Sequence, residues 1–219
     1  MCLSTLLAVF LKELYNLYQK KAETLYNQID IVFIPIVNPD TYQVINKAYS
    51  EKDPNDLNNL NWSKFWELIK HSRKNRTNCN DMDKCETGQC GVDINRNYGY
   101  KYGIDDKGSS DYLCDDSYRG THAFSEPETQ AMKNFFDGNR FVVSVVNLHA
   151  FGPIVMNPMN WDDSNMDLME NFPRHHSFYK EFEQASTSTL KTLKFGNVAQ
   201  TLDYTSNGES LDWELQAHG

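Results

Sequence analysis

The pattern of apolar and polar positions divides the 219-residue chain into a few well-marked elements. Near the N-terminus, Leu3, Leu6, Leu7, Phe10, Leu11, Leu14, Tyr15 and Tyr18 recur at i, i+3, i+4 and i+7, which predicts a helix with one core-facing stripe. The β-branched run Ile29 to Val37 predicts a buried strand that ends at the turn Asn38-Pro39-Asp40. Residues 45–120 are polar, rich in Asn, Asp, Lys and Gly, and without a sustained period. They predict a long functional loop with short helices. Ser125 and Glu128 have the spacing of a capping box, Pro127 suits a first turn, and the helix should run to Asp137-Gly138. A second apolar run, Arg140 to Leu148, predicts another buried strand with His149 at its end, where functional groups collect in open α/β sheets. Further helices are expected over 177–193 and from Gly208 through Leu215.

Composition narrows the possibilities. With 21 basic and 30 acidic side chains the formal net charge is −9, which argues against a nucleic-acid surface or an anionic membrane surface. The short apolar run Leu6 to Leu11 cannot span a bilayer. Four of five cysteines, Cys79, Cys85, Cys90 and Cys114, fall in the polar stretch at spacings unlike zinc knuckles, so disulfides are the better reading. Four cysteines allow three pairings. The sequons at Asn61 and Asn75 would suit a secreted surface loop. None of the six histidines lies in an H-x-x-E or H-E-x-x-H pair, so no complete metal site is encoded locally.

The block Gly91-Val92-Asp93-Ile94-Asn95-Arg96-Asn97 resembles the GVDxNRN motif of the zinc metallocarboxypeptidases of the carboxypeptidase A/B type. Val37 to Asp40, Ser72 to Arg76, Cys114 to Gly120, Phe124 to Thr129, Leu148 to Phe151 and Tyr204 to Trp213 resemble further motifs of that family in the same order. The resemblance implies an α/β fold, a mixed and mostly parallel sheet with helices on both faces, here incomplete, in one peptidase-like domain over 1–219. It also implies removal of C-terminal residues from peptides or proteins with one zinc ion as cofactor, by a monomer of the extracellular, secretory or lysosomal space that needs neither nucleic acid nor membrane.

Residue roles follow from the same resemblance. Asn95 and Arg96 would take the terminal carboxylate, for which a planar guanidinium is suited. Arg73 would polarise the scissile carbonyl and stabilise the oxyanion, although such a basic run is otherwise a solvated stretch. Tyr204 would close over the substrate, His149 would be one of three zinc ligands, and Leu211 would make the specificity pocket apolar, favouring hydrophobic C-terminal residues. The family's H-x-x-E pair and its catalytic glutamate match nothing between Met1 and Gly219, so the chain alone is expected to be an inactive fragment of an active enzyme. The alternative is a catalytically dead pseudo-enzyme that binds peptide C-termini.

Overall fold

The computed structural model describes residues 12, 16, 28–50, 72–77, 79, 85, 90–149, 152–164, 166–187 and 192–218. By contacts the chain divides into two units, 1–37 with 146–152 and 38–145 with 153–219. The N-terminal helix of the sequence reading lies outside the described residues except for Lys12 and Asn16, both helical.

The second unit holds the defined elements. Helix α1 spans Pro39–Ser50. The Asn-Pro-Asp signal expected to be a turn is its start: the Asn38 side-chain oxygen accepts the Thr41 N–H at 3.1 Å, and Pro39 occupies a position whose N–H a helix cannot use. Helix α2, Pro127–Gly138, ends at the predicted glycine, but the expected capping box does not form. Ser125 Oγ instead accepts from Asn97 at 2.9 Å and donates to Glu126 at 2.7 Å. Glu128 accepts from Asn75 at 3.2 Å. Tertiary partners have taken over the groups that a local cap would have used.

Strand β1, Ile154–Met156, pairs in parallel with β2, Lys194–Gly196, in the register Ile154 to Lys194. Helices α3, Met166–Asn171, and α4, Pro173–Thr187, fill the crossover that parallel pairing demands. Strand β2 then runs into α5, Val198–Leu202, through a capping box in which Asn197 and Gln200 each accept the other's backbone N–H. Helix α6, Ser210–His218, follows the predicted start closely. The two apolar runs expected as strands, 29–37 and 140–148, carry no ladder among the described residues. A β-branched run becomes a strand only when neighbours pair with it. Val32 is 62% exposed in the first run, and Phe141 and Val143 are 95% and 90% exposed in the second.

Two apolar clusters position the site. Trp213 of α6 sits 5.5 Å from the Tyr98 ring, 5.4 Å from Phe124 and 5.5 Å from Phe136 of α2. Such ring pairs add about 0.5–1.5 kcal/mol each beyond their burial, so they hold α2, α6 and the turn before Tyr98 together. Met159, Leu168 and Leu215 form the second cluster, joining α3, α6 and the loop after β1.

The cysteines pair as Cys79–Cys90 and Cys85–Cys114, which selects one of the three open connectivities. Replacing Cys85 and Cys114 together by Ser should lower unfolding free energy by about 2–4 kcal/mol, because the bridge closes a loop of 29 residues. Denaturant titration under oxidising conditions measures this. The sequon at Asn75 is not a surface site: the residue is 1% exposed, donates to Glu126 at 2.7 Å and accepts the Val92 N–H at 2.9 Å. Asn61 lies outside the described residues.

Candidate functional site

The motif Gly91 to Asn97 folds into a 3-10 turn over Ile94–Arg96, and Asp93 makes that turn possible. One Asp93 oxygen accepts the Asn95 N–H at 3.1 Å, and the other accepts from Arg73 Nε at 2.7 Å. Asp93 is buried while the Arg73 side chain is 44% exposed, so the pair joins an interior acid to a cation at the surface. Asp93 raises the pKa of the Arg73 guanidinium, against the opposing effect of burial, with Glu209 adding to the rise. Arg73 therefore carries its charge permanently.

Asn97 organises the surrounding loop. Its amide nitrogen donates to the carbonyls of Arg119 and His122 and to Ser125 Oγ, and its oxygen accepts from Thr129 at 2.7 Å. Neighbouring Lys74 is 4% exposed despite sitting in a basic run. Its ammonium donates to the carbonyls of Leu113 and Asp115 and lies 5.7 Å from the Tyr118 ring centroid. Burial lowers its pKa.

The turn meets the start of α6 through Gly208, whose φ is +69°. A Cβ there would lie 2.4 Å from the Arg96 carbonyl oxygen, and the Tyr98 N–H donates to the Gly208 carbonyl at 2.9 Å. This close approach sets Arg96 against Glu209. Arg96 Nη1 donates to Glu209 Oε1 at 2.9 Å, with side chains 6% and 9% exposed. The same oxygen accepts from Asn95 Nδ2 at 3.4 Å and from Ser206 Oγ, while Glu209 Oε2 accepts from Asn160 at 2.6 Å. Asn95 Oδ1 in turn accepts the N–H and the hydroxyl of Ser210. Arg96 Nε is buried and has no hydrogen-bond partner among the described residues.

Behind this layer, Asp212 is 1% exposed and accepts the backbone N–H groups of Met159, Asn160 and Trp161. Burial, then the Glu209 charge, pushes its pKa up to about 8, opposed by those N–H bonds.

Arg73, Asn95 and Arg96 are thus brought into one network, which Asp93 and Glu209 link. Tyr204 lies between α5 and α6, 46% exposed, and Leu211 lies half-buried in the first turn of α6. His149 belongs to the other unit. Sequence reasoning missed Glu209, Asn160 and Ser206; Asp93 stood inside the quoted motif with a capping residue's spacing but was given no role. Among the described residues, no three His, Cys, Asp or Glu side chains come together to hold a metal ion. The described residues therefore do not by themselves fit a zinc ion.

Residues 4–219 match the family model Peptidase_M14, described as zinc carboxypeptidase. Carboxypeptidase A2 of Rattus norvegicus is 26% identical over 195 residues, 87% of this chain and 38% of that protein. Carboxypeptidase A6 of Homo sapiens is 27% identical over 210 residues, 93% of this chain and 40% of that protein. Among solved structures, thrombin-activatable fibrinolysis inhibitor superposes with a TM-score of 0.57 at 22% identity, over 91% of this chain and 44% of that one. Carboxypeptidase A from Helicoverpa armigera gives 0.52 at 23% identity, over 85% of this chain and 39% of that one. The chain spans about two fifths of the length of these relatives. The fold is that of the carboxypeptidases, α/β with a parallel ladder. The chain belongs to the zinc carboxypeptidase family.

Proposed function

We propose that this chain supplies the substrate-recognition side of a zinc-dependent metallocarboxypeptidase that removes hydrophobic C-terminal residues from peptides. The observation that carries this reading is the convergence of Arg73, Asn95 and Arg96 on one partly buried network within a chain of that family. In such a site Asn95 and Arg96 bind the terminal carboxylate, and water excluded from around them strengthens each charge-assisted bond. Arg73, half-exposed and held by Asp93, faces solvent from a fixed base and stabilises negative charge developing on the scissile carbonyl oxygen. Tyr204 covers the bound residue, and Leu211 offers its side chain an apolar floor without a counter-ion. For His149 the role of zinc ligand rests on the family resemblance alone, zinc supplying Lewis acidity and an activated water in this family's chemistry. Two disulfides suit an oxidising compartment, so the secretory or extracellular space is the proposed location.

The test uses the native full-length protein and matched peptides ending in Phe, one with a free carboxylate and one amidated. The free form should be cleaved with a kcat/KM about a hundredfold higher, since the amide forfeits the charged bonds to Asn95 and Arg96. Equal cleavage of both would remove the reading. Binding of the free form without any cleavage would instead support the module that recognises C-termini and does no chemistry.

A further inference from the structure

Glu209 places a carboxylate of the chain itself on the two residues that the proposed function assigns to a substrate carboxylate. Its oxygens meet Arg96 Nη1 at 2.9 Å, Asn95 Nδ2 at 3.4 Å, Asn160 Nδ2 at 2.6 Å and the Ser206 hydroxyl. Three of these donors converge on Oε1 and one on Oε2, so Glu209 is satisfied at both oxygens. Arg96 is not. It is 5% exposed, its Nη1 is shared between Glu209 and the Asn95 carbonyl, and its Nε is buried with no hydrogen-bond partner among the described residues. A buried guanidinium with an idle donor is one that can accept a second carboxylate once the surrounding segment yields.

We propose that Glu209 is an internal stand-in for the substrate's terminal carboxylate, closing the Arg96 and Asn95 seat until a peptide with a free C-terminus displaces it. The proposal rests on the function proposed above. Glu209 stands between Gly208, which has no side chain of its own although the Tyr98 N–H bond to its carbonyl must open for the turn to move, and the first residue of α6. Swinging the carboxylate outward needs a change over residues 206–209 and leaves α6 anchored through Trp213 and Asp212. With Arg96 engaged by Glu209 in most molecules, the apparent affinity for a free C-terminus is reduced by the fraction of molecules whose seat is open. Glu209 is then a residue that sets substrate affinity without taking part in the chemistry.

The experiment compares wild type, Glu209→Gln and Glu209→Asp, each as the native full-length protein, on the same free and amidated Phe-ending peptides. Gln keeps the shape but not the charge, and Asp keeps the charge but falls one methylene short of Arg96. Both should lower KM for the free peptide about tenfold, leave kcat within about twofold and leave KM for the amidated peptide unchanged, as release of an occupied seat requires. Hydrogen exchange on the wild type supplies the check that needs no variant. Saturation with the free peptide should speed exchange of the amides of residues 206–210, because Glu209 has been turned out. An unchanged or higher KM for the free peptide in Glu209→Gln, or slowed exchange at 206–210, would overturn the proposal and make Glu209 a support that holds Arg96 for substrate. Wild type that discriminates between the peptides while Glu209→Gln does not improve refutes the role of Glu209 alone; wild type and Glu209→Gln that both ignore the free C-terminus refute the proposed function with it.

Discussion

Asp212→Ala should destabilise the protein by more than about 4 kcal/mol, the largest effect expected of any side-chain truncation around the site. Asp212 is the shared acceptor for three consecutive backbone N–H groups, at 2.7 Å from Met159, 2.8 Å from Asn160 and 3.3 Å from Trp161. Met159 and Asn160 are both 0% exposed, so no solvent replaces the lost acceptor. Each buried N–H left unsatisfied costs about 1–3 kcal/mol. Met159 also holds a φ of +69°, a backbone state that a side chain disfavours, and the Asp212 contact keeps it there. Urea unfolding should show the midpoint shifted strongly downward, and a shift under about 1 kcal/mol would contradict this account. The pH dependence follows from the same burial. The folded protein binds the Asp212 proton more tightly than the unfolded chain, so this group's contribution to stability is complete below its ordinary pKa of 3.8 and is lost as pH rises through about 8. Asp212→Ala should flatten that slope.

Gly91→Ala should be nearly as damaging, by about 4 kcal/mol or more, through backbone conflict instead of lost bonding. Gly91 has a φ of +91°, and a Cβ there would fall 1.8 Å from the Asn75 carbonyl oxygen and 2.7 Å from its carbon. Neither atom is the movable end of a side chain. The strands of chain on either side are joined by the Asn75 N–H to the Val92 carbonyl at 2.9 Å and by the Val92 N–H to the Asn75 side chain at 2.9 Å. Forcing them apart would also separate Arg73 from Asp93, two residues further along each segment. The expected result is a lower unfolding midpoint together with a lower yield of the Cys79–Cys90 bridge on oxidative refolding. A variant with wild-type stability and full cross-linking would show that the turn tolerates a side chain.

What could be read from the chain followed the range over which each signal acts. The end of α2 at Gly138 and the start of α6 were legible because caps and breakers act within a few residues. Asn38-Pro39-Asp40 was legible as punctuation but not as a helix start, since the same three residues serve a turn or an N-cap equally well. Of the site, Arg73, Asn95 and Arg96 were marked by their motifs. Glu209 was not, because it reaches Arg96 across 113 positions and nothing local distinguishes it from any other acid before a helix. Lys74 shows the opposite failure. A basic run signals solvent, yet three carbonyl and ring acceptors from residues 113–118 draw one of its ammonium groups inside. The ordering of Asn97 and Thr129 around a single amide is likewise a product of the assembled loop.

The two disulfides interlace, since Cys85 lies between Cys79 and Cys90 while Cys114 lies beyond both. A peptide bond cut between 79 and 85 leaves the pieces joined through Cys79–Cys90, one cut between 90 and 114 leaves them joined through Cys85–Cys114, and one cut between 85 and 90 leaves both links in place. Any lone nick from 79 to 114 therefore yields a molecule of unchanged mass except for one added water, still covalently whole until a reductant opens it. For a chain whose family works among peptidases, the segment that carries Asp93, Asn95 and Arg96 is built so that one proteolytic error does not release it.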